Sequence, residues 1–428
     1  MNNEPYIIIG NSVAGIAGVS GIRSADAERS ITLISDEPHH TYSRPLISYL
    51  LAGKVDEENM HYRGPDFYEC NDVQPLLGTR VERVDPDRQV LTTDDGEELG
   101  FAKLLIATGG TPIVPPDVEG VDADGVFTFT TWDDARKIAA YIEDNDVTDA
   151  VVVGGGLIGL KSMEALVERG LRTTVIELAD GVLTATFDST ASGLARDVLE
   201  GAGVSVRCGT TVTRVVAEEG RVSGVTLRDG TEVPCGLVIF AIGVSPNVGI
   251  VADTGIRTDR GILVDETMMT SVQDIYAAGD VAQARELLSG ESRCIPIFPD
   301  AYRQGFTAGC NMAGERRNYG GGLVMNAVEV LGVPTISVGR TEADDDCEVL
   351  SELDEEAPVY RKIVVRDNRV VGAVFFGEIE GAGIITGLIR EGLDVSEFKD
   401  LLLTDEFGLI SLPREYRKHV VSGQGILV

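Results

Sequence analysis

Two glycine-rich segments hold the residues best placed to do chemistry. Gly10-Asn11-Ser12-Val13-Ala14-Gly15 follows an apolar run at 7–9, and Gly154-Gly155-Gly156-Leu157-Ile158-Gly159 follows another at 151–153. Each opens a helix-compatible stretch. In a strand–turn–helix of this kind the first glycine permits the tight bend. The middle position lets the backbone approach a pyrophosphate on the helix N-terminus, and the last glycine allows close helix–strand packing. Each turn is answered by an acid beyond a second apolar run, Asp36 after 31–34 and Glu177 after 174–176, placed to accept from a ribose hydroxyl. The repetition points to a chain that holds two dinucleotides and passes electrons between them.

The two turns differ. In the first the middle position is Ser12, whose small hydroxyl could itself donate to phosphate. The second has all three glycines, Gly154, Gly156 and Gly159, and the acid is Glu177. A carboxylate there binds a 2′-hydroxyl and repels a 2′-phosphate, favouring NAD(H) over NADP(H). Arg172 precedes that acid instead of following it, so it is not read as a phosphate clamp.

The elements needed to position these residues are legible in the same pattern. A strand at 6–9, a helix at 13–24 and a strand at 31–34 are followed by strands at 73–77 and 81–84, then a hairpin around Asp94-Asp95-Gly96. A buried strand runs into Ala107-Thr108-Gly109-Gly110, and a proline-rich stretch at 111–116 marks a boundary. A helix at 132–144 precedes the second unit, with a helix over about 157–169 and a strand at 172–178. Its own hairpin at 222–233 leads to a buried strand ending in Gly243. The layout of glycine turn, acid, hairpin and strand-to-glycine thus occurs twice, an internal duplication of architecture. A strand ending in Gly279-Asp280 and a helix at 301–312 come next. Strands at 335–338, 360–365 and 370–375 and helices at 384–390 and 395–402 complete the chain. The fold class is α/β: two Rossmann-like dinucleotide-binding domains plus a C-terminal α+β domain.

Composition narrows the function. Only 36 residues are basic, 7 of them lysine, against 69 acids, for a formal charge of −33. Nucleic-acid binding needs a basic surface and is set aside. The acids fit either a solvating surface, as salt adaptation would favour, or a docking face for a basic partner. The densest stretch, 343–356, reads as an exposed loop. No apolar run is long enough to span a bilayer, and the apolar start lacks a basic n-region, so the expected location is cytoplasmic. Cys70, Cys208, Cys235, Cys294, Cys310 and Cys347 form no C-x-x-C pair and read as small buried thiols. His39, His40, His61 and His419 show no metal spacing, and no metal is expected; His39-His40 reads as a solvent-exposed pair.

With these pieces placed, the chain resembles the pyridine nucleotide oxidoreductase superfamily that uses FAD and NAD. Ala107-Thr108-Gly109 resembles its turn against FAD, and Ala278-Gly279-Asp280 its second FAD signature, in which the aspartate holds the ribityl chain. Gly243-Val244-Ser245-Pro246-Asn247 resembles the turn after the NAD domain. The resemblance implies a discontinuous FAD-binding domain (1–115 and 250–320), an NAD-binding domain (116–249) and a C-terminal domain (321–428). It also implies that Val81 presents its backbone to adenine. Where disulfide-using branches carry cysteine, this chain has Arg44-Pro45 within 42–49, and no cysteine precedes Cys70. The segment, like the C-terminal domain, is similar to rubredoxin reductases, oxygenase ferredoxin reductases and the NADH-oxidising part of nitrite reductase large subunits. The implied activity is FAD-dependent NADH oxidation without a redox disulfide. Electrons would pass to an electron-carrier protein or partner redox subunit.

Three departures from that pattern stand out. Tyr49 replaces a lysine near flavin N5, and Lys161 replaces the usual glutamate two residues past the third NAD glycine. Lys161 would then lie at the reacting edge and stabilise anionic reduced flavin, or else simply face Glu164 on the helix surface. Phe298, three residues before Ala301, stands where a tryptophan often covers the flavin, and reads equally as core. Ala301, Gln304 and Gly305 belong to the helix whose N-terminus points at the flavin pyrimidine. Two alternatives stay open: an NADH oxidase that reduces oxygen, and a flavin-bearing subunit in which NADH regulates assembly. A homodimer is also left open.

Overall fold

The strand Tyr6–Ile9 reads Tyr-Ile-Ile-Ile and is buried along its whole length. A parallel strand covered on both faces has no polar side to show. Ile7 and Ile8 are fully buried, each worth about 1.5–3 kcal/mol relative to exposure. In this computed structural model, which describes residues 4–354, 356–404 and 407–413, that strand lies at the middle of a five-stranded sheet. Glu355 and His419 fall outside the described residues. The strand order is Ile275–Ala277, Lys103–Ile106, Tyr6–Ile9, Ile31–Ser35, Val73–Leu77, all parallel. Connections leave in opposite directions on the two sides of Tyr6–Ile9, so a crevice opens at the carboxyl ends of the central strands.

The sheet belongs to the first of two units, made of the chain up to Pro116 together with Phe127–Val147 and Phe240–Gly322. Its first helix, Val13–Ala25, lies against the helix Phe298–Met312. Their approach depends on bare backbone: a Cβ on Gly21 would meet the Phe306 carbonyl at 2.3 Å, and one on Gly309 would meet the Gly18 carbonyl at 2.2 Å. The second helix starts at Phe298, three residues before the expected start, because Pro299 is well suited to a first helical turn. The helix Trp132–Asp144 also belongs to this unit. The Thr131 hydroxyl accepts from the Asp134 N–H and the Asp134 carboxylate accepts from the Thr131 N–H, a reciprocal cap.

The second unit takes Asp117–Val126, Thr148–Ile239 and the described chain from Leu323 onward. Asp149–Val153 pairs in parallel with Arg172–Ile176, which pairs with Ser205–Arg207. Leu237–Phe240 lies on the other side of Asp149–Val153. Helices Leu157–Glu168 and Ser189–Gly201 belong to the same layer. The C-terminal part is an antiparallel sheet in the order Met325–Val330, Val333–Gly339, Arg369–Phe376, Tyr360–Arg366, Glu348–Leu353, with helix Ala382–Glu391 against it. Among the described residues no helix is long and apolar enough to cross a membrane.

Two sequence expectations fail here. The stretch 343–356 is not simply a loop, because Glu348–Leu353 forms the edge strand of that sheet. An edge strand exposed on both faces lacks the alternation that would have revealed it. The expected helix at 395–402 is reduced to a short 3₁₀ turn, Lys399–Leu401. Its apolar spacing comes from three separate anchors, Val395, Phe398 and Leu402, all buried.

Candidate functional site

In the first unit four predicted segments converge on the carboxyl edge of the parallel sheet. Gly10 ends the central strand with φ +120°, and a Cβ there would strike the Ala107 carbonyl at 2.1 Å. A Cβ on Gly15 would strike the Gly10 carbonyl at 1.9 Å. Val13, Ala14 and Gly15 are buried in the first helical turn, which Ser12 precedes in extended conformation. The Ser12 side chain makes no capping bond, leaving the helix N-terminus open to an anion. Gly279, at φ +79°, packs so close that its Cβ would lie 3.0 Å from Ala14 and 3.7 Å from Ala301. The N-terminal turns of both long helices therefore meet at the Gly279–Asp280 turn. Helix Phe298–Met312 also has no side-chain cap.

The acids at this edge are in different states. Asp36 is exposed and makes no hydrogen bond or ion pair among the described residues, which leaves a carboxylate available to a ribose. Burial raises the Asp280 carboxyl above its ordinary range, and the Arg44 guanidinium opposes that rise. Arg44 lies in the short turn Arg44–Leu46 with Pro45. Its Nη1 donates to the Thr130 carbonyl at 2.8 Å, and its Nη2 to Glu37. Glu37 accepts in addition from the Tyr42 hydroxyl at 2.6 Å, and Tyr42 accepts from the Trp132 N–H at 3.1 Å.

Ala107, Thr108 and Gly109 follow the strand Lys103–Ile106 and are locked by Asn247. The Asn247 amide donates to the Thr108 carbonyl at 2.9 Å, and the Thr108 hydroxyl donates to the Asn247 carbonyl at 3.2 Å. Gly243 opens the same arm at φ +125°, and its carbonyl accepts from the Ile113 N–H at 3.0 Å. Val81 is buried at the start of Val81–Asp85. Phe298, half-buried, meets Tyr62 edge-on at 5.3 Å between ring centroids. Behind Gly279 the polar groups form a chain of hydrogen bonds. Its N–H donates to Gln304 Oε1 at 2.9 Å, Gln304 donates to Asp300 at 3.0 Å, and Tyr319 donates to Asp300 at 2.6 Å.

Several residues at this edge escaped the sequence reading. Glu37 is the firmest anchor among them; Asn247 is legible as part of the turn after the NAD domain, but not as the clamp on Thr108. Glu37 could have been suspected as an acid a short way before Arg44. The Asn11 side chain accepts from the Tyr68 hydroxyl at 2.8 Å, and that hydroxyl accepts from the Thr41 N–H at 3.1 Å. The buried Thr41 hydroxyl and His40 Nε2 have no partner among the described residues. Buried polar atoms seldom go unpaired, so these two suit a site that takes a polar ligand. The expectation that His39-His40 is solvent-exposed fails. His39 stacks on Trp132 at 5.0 Å and binds Asp133 at 2.9 Å, with its carbonyl accepting from Asn11.

The second turn has the same backbone solution. Gly154 takes φ +114°, and a Cβ on Gly159 would meet the Gly154 carbonyl at 1.9 Å. Gly156 precedes the helix with no cap, and the space a Cβ would enter there is open. Leu157 is half-buried and Ile158 exposed on the first helical turn. Glu177 Oε2 accepts from the Gly155 N–H at 2.5 Å and Oε1 from the Ala179 N–H at 2.7 Å. The carboxylate is thus held beneath the turn, and each oxygen keeps a further lone pair for a ribose hydroxyl. The Lys161 ammonium is engaged within this unit: it donates to Glu164 at 2.6 Å and to the Glu329 carbonyl at 2.7 Å.

Comparison with known proteins agrees with this geometry. Residues 325–393 match the family model described as the rubredoxin NAD+ reductase C-terminal domain. The chain is 31% identical over 404 residues to the NADH-dependent phenylglyoxylate dehydrogenase subunit epsilon of Aromatoleum evansii, covering 93% of this chain and 94% of that one. It is also 31% identical over 399 residues to the nitrite reductase [NAD(P)H] of Bacillus subtilis (strain 168). That match covers 93% of this chain but only 48% of the relative, so the chain spans about half that protein's length. Putidaredoxin reductase, solved in covalent complex with putidaredoxin, superposes with a TM-score of 0.87 at 26% identity, covering 98% of both chains. Residues 4–305 match the pyridine nucleotide-disulphide oxidoreductase model, and the chain belongs to that family, whose members work with FAD and NAD(H).

Proposed function

We propose that the chain oxidises NADH and passes the electrons through FAD to an electron-carrier protein or partner redox subunit, without a redox-active disulfide. The observation that carries this reading is the Arg44-Pro45 turn. At the place where disulfide-using relatives need a thiol, the guanidinium of Arg44 is fixed between Thr130 and Glu37 and bears on Asp280. The six cysteines are all free thiols; against the expectation of buried thiols only Cys235 and Cys310 are buried, and Cys70 is exposed beside Asp66.

In this reading residues 1–115 and 250–320 hold FAD, 116–249 hold NADH and 321–428 form the third domain. The open helix N-terminus beyond Gly10 and Ser12 takes the FAD pyrophosphate, and Asp36 accepts from its ribose. Val81 borders the adenine. Thr108, Gly109, Asp280 and the turn at Phe298–Ala301 surround the remainder. Gly154, Gly156 and the first turn at Leu157–Ile158 take the NADH pyrophosphate, with Glu177 on the ribose and Gly243 at the border. When bound, FAD supplies a site that accepts hydride and releases electrons singly. Lys161, paired with the Glu164 carboxylate and donating to the Glu329 carbonyl, tethers its helix. We place the protein in the cytoplasm, where free thiols stay reduced.

The family includes proteins named for several acceptors, and a relative from Methanocaldococcus jannaschii named NADH oxidase is 34% identical over 316 residues, covering 72% of this chain and 70% of that one. Anaerobic stopped-flow reduction separates the readings. NADH should bleach the flavin within seconds, and a carrier protein should reoxidise it faster than air does. Rapid peroxide release with no response to any carrier would favour the oxidase. Very slow bleaching accompanied by a change of oligomeric state would favour a regulatory subunit.

A further inference from the structure

The loop after Glu177 first packs on the glycine turn and then runs to the C-terminal sheet. The Leu183 N–H donates to the Gly155 carbonyl at 2.8 Å, closing the loop onto the turn. Leu183 takes φ +57°, a left-handed conformation that a leucine keeps only when its surroundings hold it. Val182, Leu183 and Phe187 are buried, and Phe187 meets Phe376 edge-on at 6.0 Å. The loop ends at Asp188, which caps helix Ser189–Gly201 through Oδ1, accepting from the Ala191 N–H at 3.0 Å. Its other oxygen accepts from the Tyr360 hydroxyl and the Lys362 ammonium, both at 2.8 Å, on the antiparallel C-terminal sheet.

All three side chains are buried, with Asp188 at 4%, Tyr360 at 5% and Lys362 at 6% exposure. A helix cap does not require this arrangement, since serine or asparagine would cap as well. A buried ion pair is also weak support for stability, because desolvation offsets its attraction. What it does supply is a defined geometry, fixing the far end of the 177–188 loop to one point on another sheet. The helix leaving the same turn is tied separately, through Lys161 to the Glu329 carbonyl and through Glu164 to the Leu331 N–H at 2.7 Å.

We propose that Asp188, Lys362 and Tyr360 are positioning residues for nucleotide binding, through which the C-terminal sheet holds the 177–188 loop so that Glu177 stays beneath the glycine turn. The proposal rests on the reading that this turn takes NADH. It gives the C-terminal domain a part in nucleotide affinity and in the preference for NADH over NADPH.

The test uses the flavin-loaded full chain with Asp188→Asn and Lys362→Met combined, so that no buried charge is left alone. The NADH concentration giving half-maximal flavin reduction should rise about fivefold or more, and the preference over NADPH should narrow. The limiting reduction rate and the flavin content should stay within about twofold, the signature of lost binding without lost chemistry. Tyr360→Phe, which keeps the charge pair, should shift the same quantity in the same direction by a smaller factor. It also serves if the double variant does not fold. Unchanged NADH dependence in Tyr360→Phe and in the double variant, if that folds, would overturn the proposal, as would a fall only in thermal midpoint or flavin content. Glu177→Ala is the control for the underlying reading. If it weakens NADH while the other variants do nothing, only the positioning role fails; if it too leaves NADH dependence unchanged, both fail.

Discussion

The two glycine turns solve one backbone problem and differ in what they do with their acids. In each, the third glycine would place a Cβ at 1.9 Å from the carbonyl of the first. In each, the first glycine's N–H donates to a carbonyl of the neighbouring strand, Gly10 to Ile34 and Gly154 to Ile176, both at 2.8 Å. By that register Glu177 corresponds to Ser35, and Asp36 corresponds to Leu178. The second acid therefore follows its strand directly and is bonded beneath the turn before any ligand arrives. The first lies one residue further out, exposed and unengaged. A prepaid carboxylate geometry suits a nucleotide that must enter and leave on every cycle, because less order is lost at each binding event. A resident cofactor can instead draw its retention from many contacts, and the first turn is backed by one glycine-mediated helix crossing, with close contacts from both helices.

That comparison breaks most visibly at the third glycines. Gly15→Ala and Gly159→Ala introduce the same 1.9 Å clash. The first helix cannot retreat, because Gly18 and Gly21 already touch Gly309 and Phe306 of its neighbour. Gly15→Ala should lose about 1–3 kcal/mol or more of stability and purify largely without flavin, read by thermal midpoint and visible absorbance. Gly159→Ala should keep its flavin and show the loss in NADH dependence. Equal flavin loss in both variants would erase the distinction.

The acids give the next largest effect. Glu177→Ala removes two charge-assisted bonds to backbone N–H groups as well as the ribose acceptor. At about 1.5–3 kcal/mol for the lost ribose bond, NADH affinity should fall by roughly tenfold or more. Asp36 makes no hydrogen bond or ion pair among the described residues, so in Asp36→Asn only FAD retention should change, by roughly two- to fivefold. Fluorescence of released flavin on dilution measures the second. A larger effect from Asp36→Asn than from Glu177→Ala would reverse the assignment of preorganised and unengaged acids.

The parts legible in the sequence were those written as local periodicity. Ile7–Ile9, Val151–Val153 and the glycines of both turns state their strands and bends in consecutive residues, and the helix Trp132–Asp144 has the bounds expected for it. What stayed hidden depends on residues far apart in sequence. Nothing near Asn247 announces that it clamps Thr108, and nothing near Asp188 announces Lys362. His39 looked exposed because it sits in a polar stretch, yet Trp132, from a helix much further along the chain, covers it. Of the bonds that Lys161 makes, the i+3 partner Glu164 could be read from spacing, but the Glu329 carbonyl could not.

The smallest expected effect is a difference in sign between the units. Burial pushes the Asp188 carboxyl upward, but the Ala191 N–H, Lys362 and Tyr360 outweigh it and leave the folded-state pKa below the ordinary 3.8. Such a group contributes stability that is complete above 3.8 and disappears as pH falls through the lower folded value. Asp280 is the reverse case, raised by burial against the pull of Arg44. Its ionisation costs stability as pH rises from 3.8 toward the higher folded value, and acid relieves that cost. Thermal midpoints of the flavin-free chain should therefore move in opposite ways. Relative to the parent, Asp188→Asn with Lys362→Met should gain as pH drops below 3.8, whereas Asp280→Asn should gain as pH rises above it. Trp132, the sole tryptophan, reports on the first unit alone, so its emission can be set against far-UV ellipticity, which sees both. Parallel slopes for the two variants would mean that Arg44 governs Asp280 as firmly as Lys362 governs Asp188, and that the acids of the two units are held in the same way.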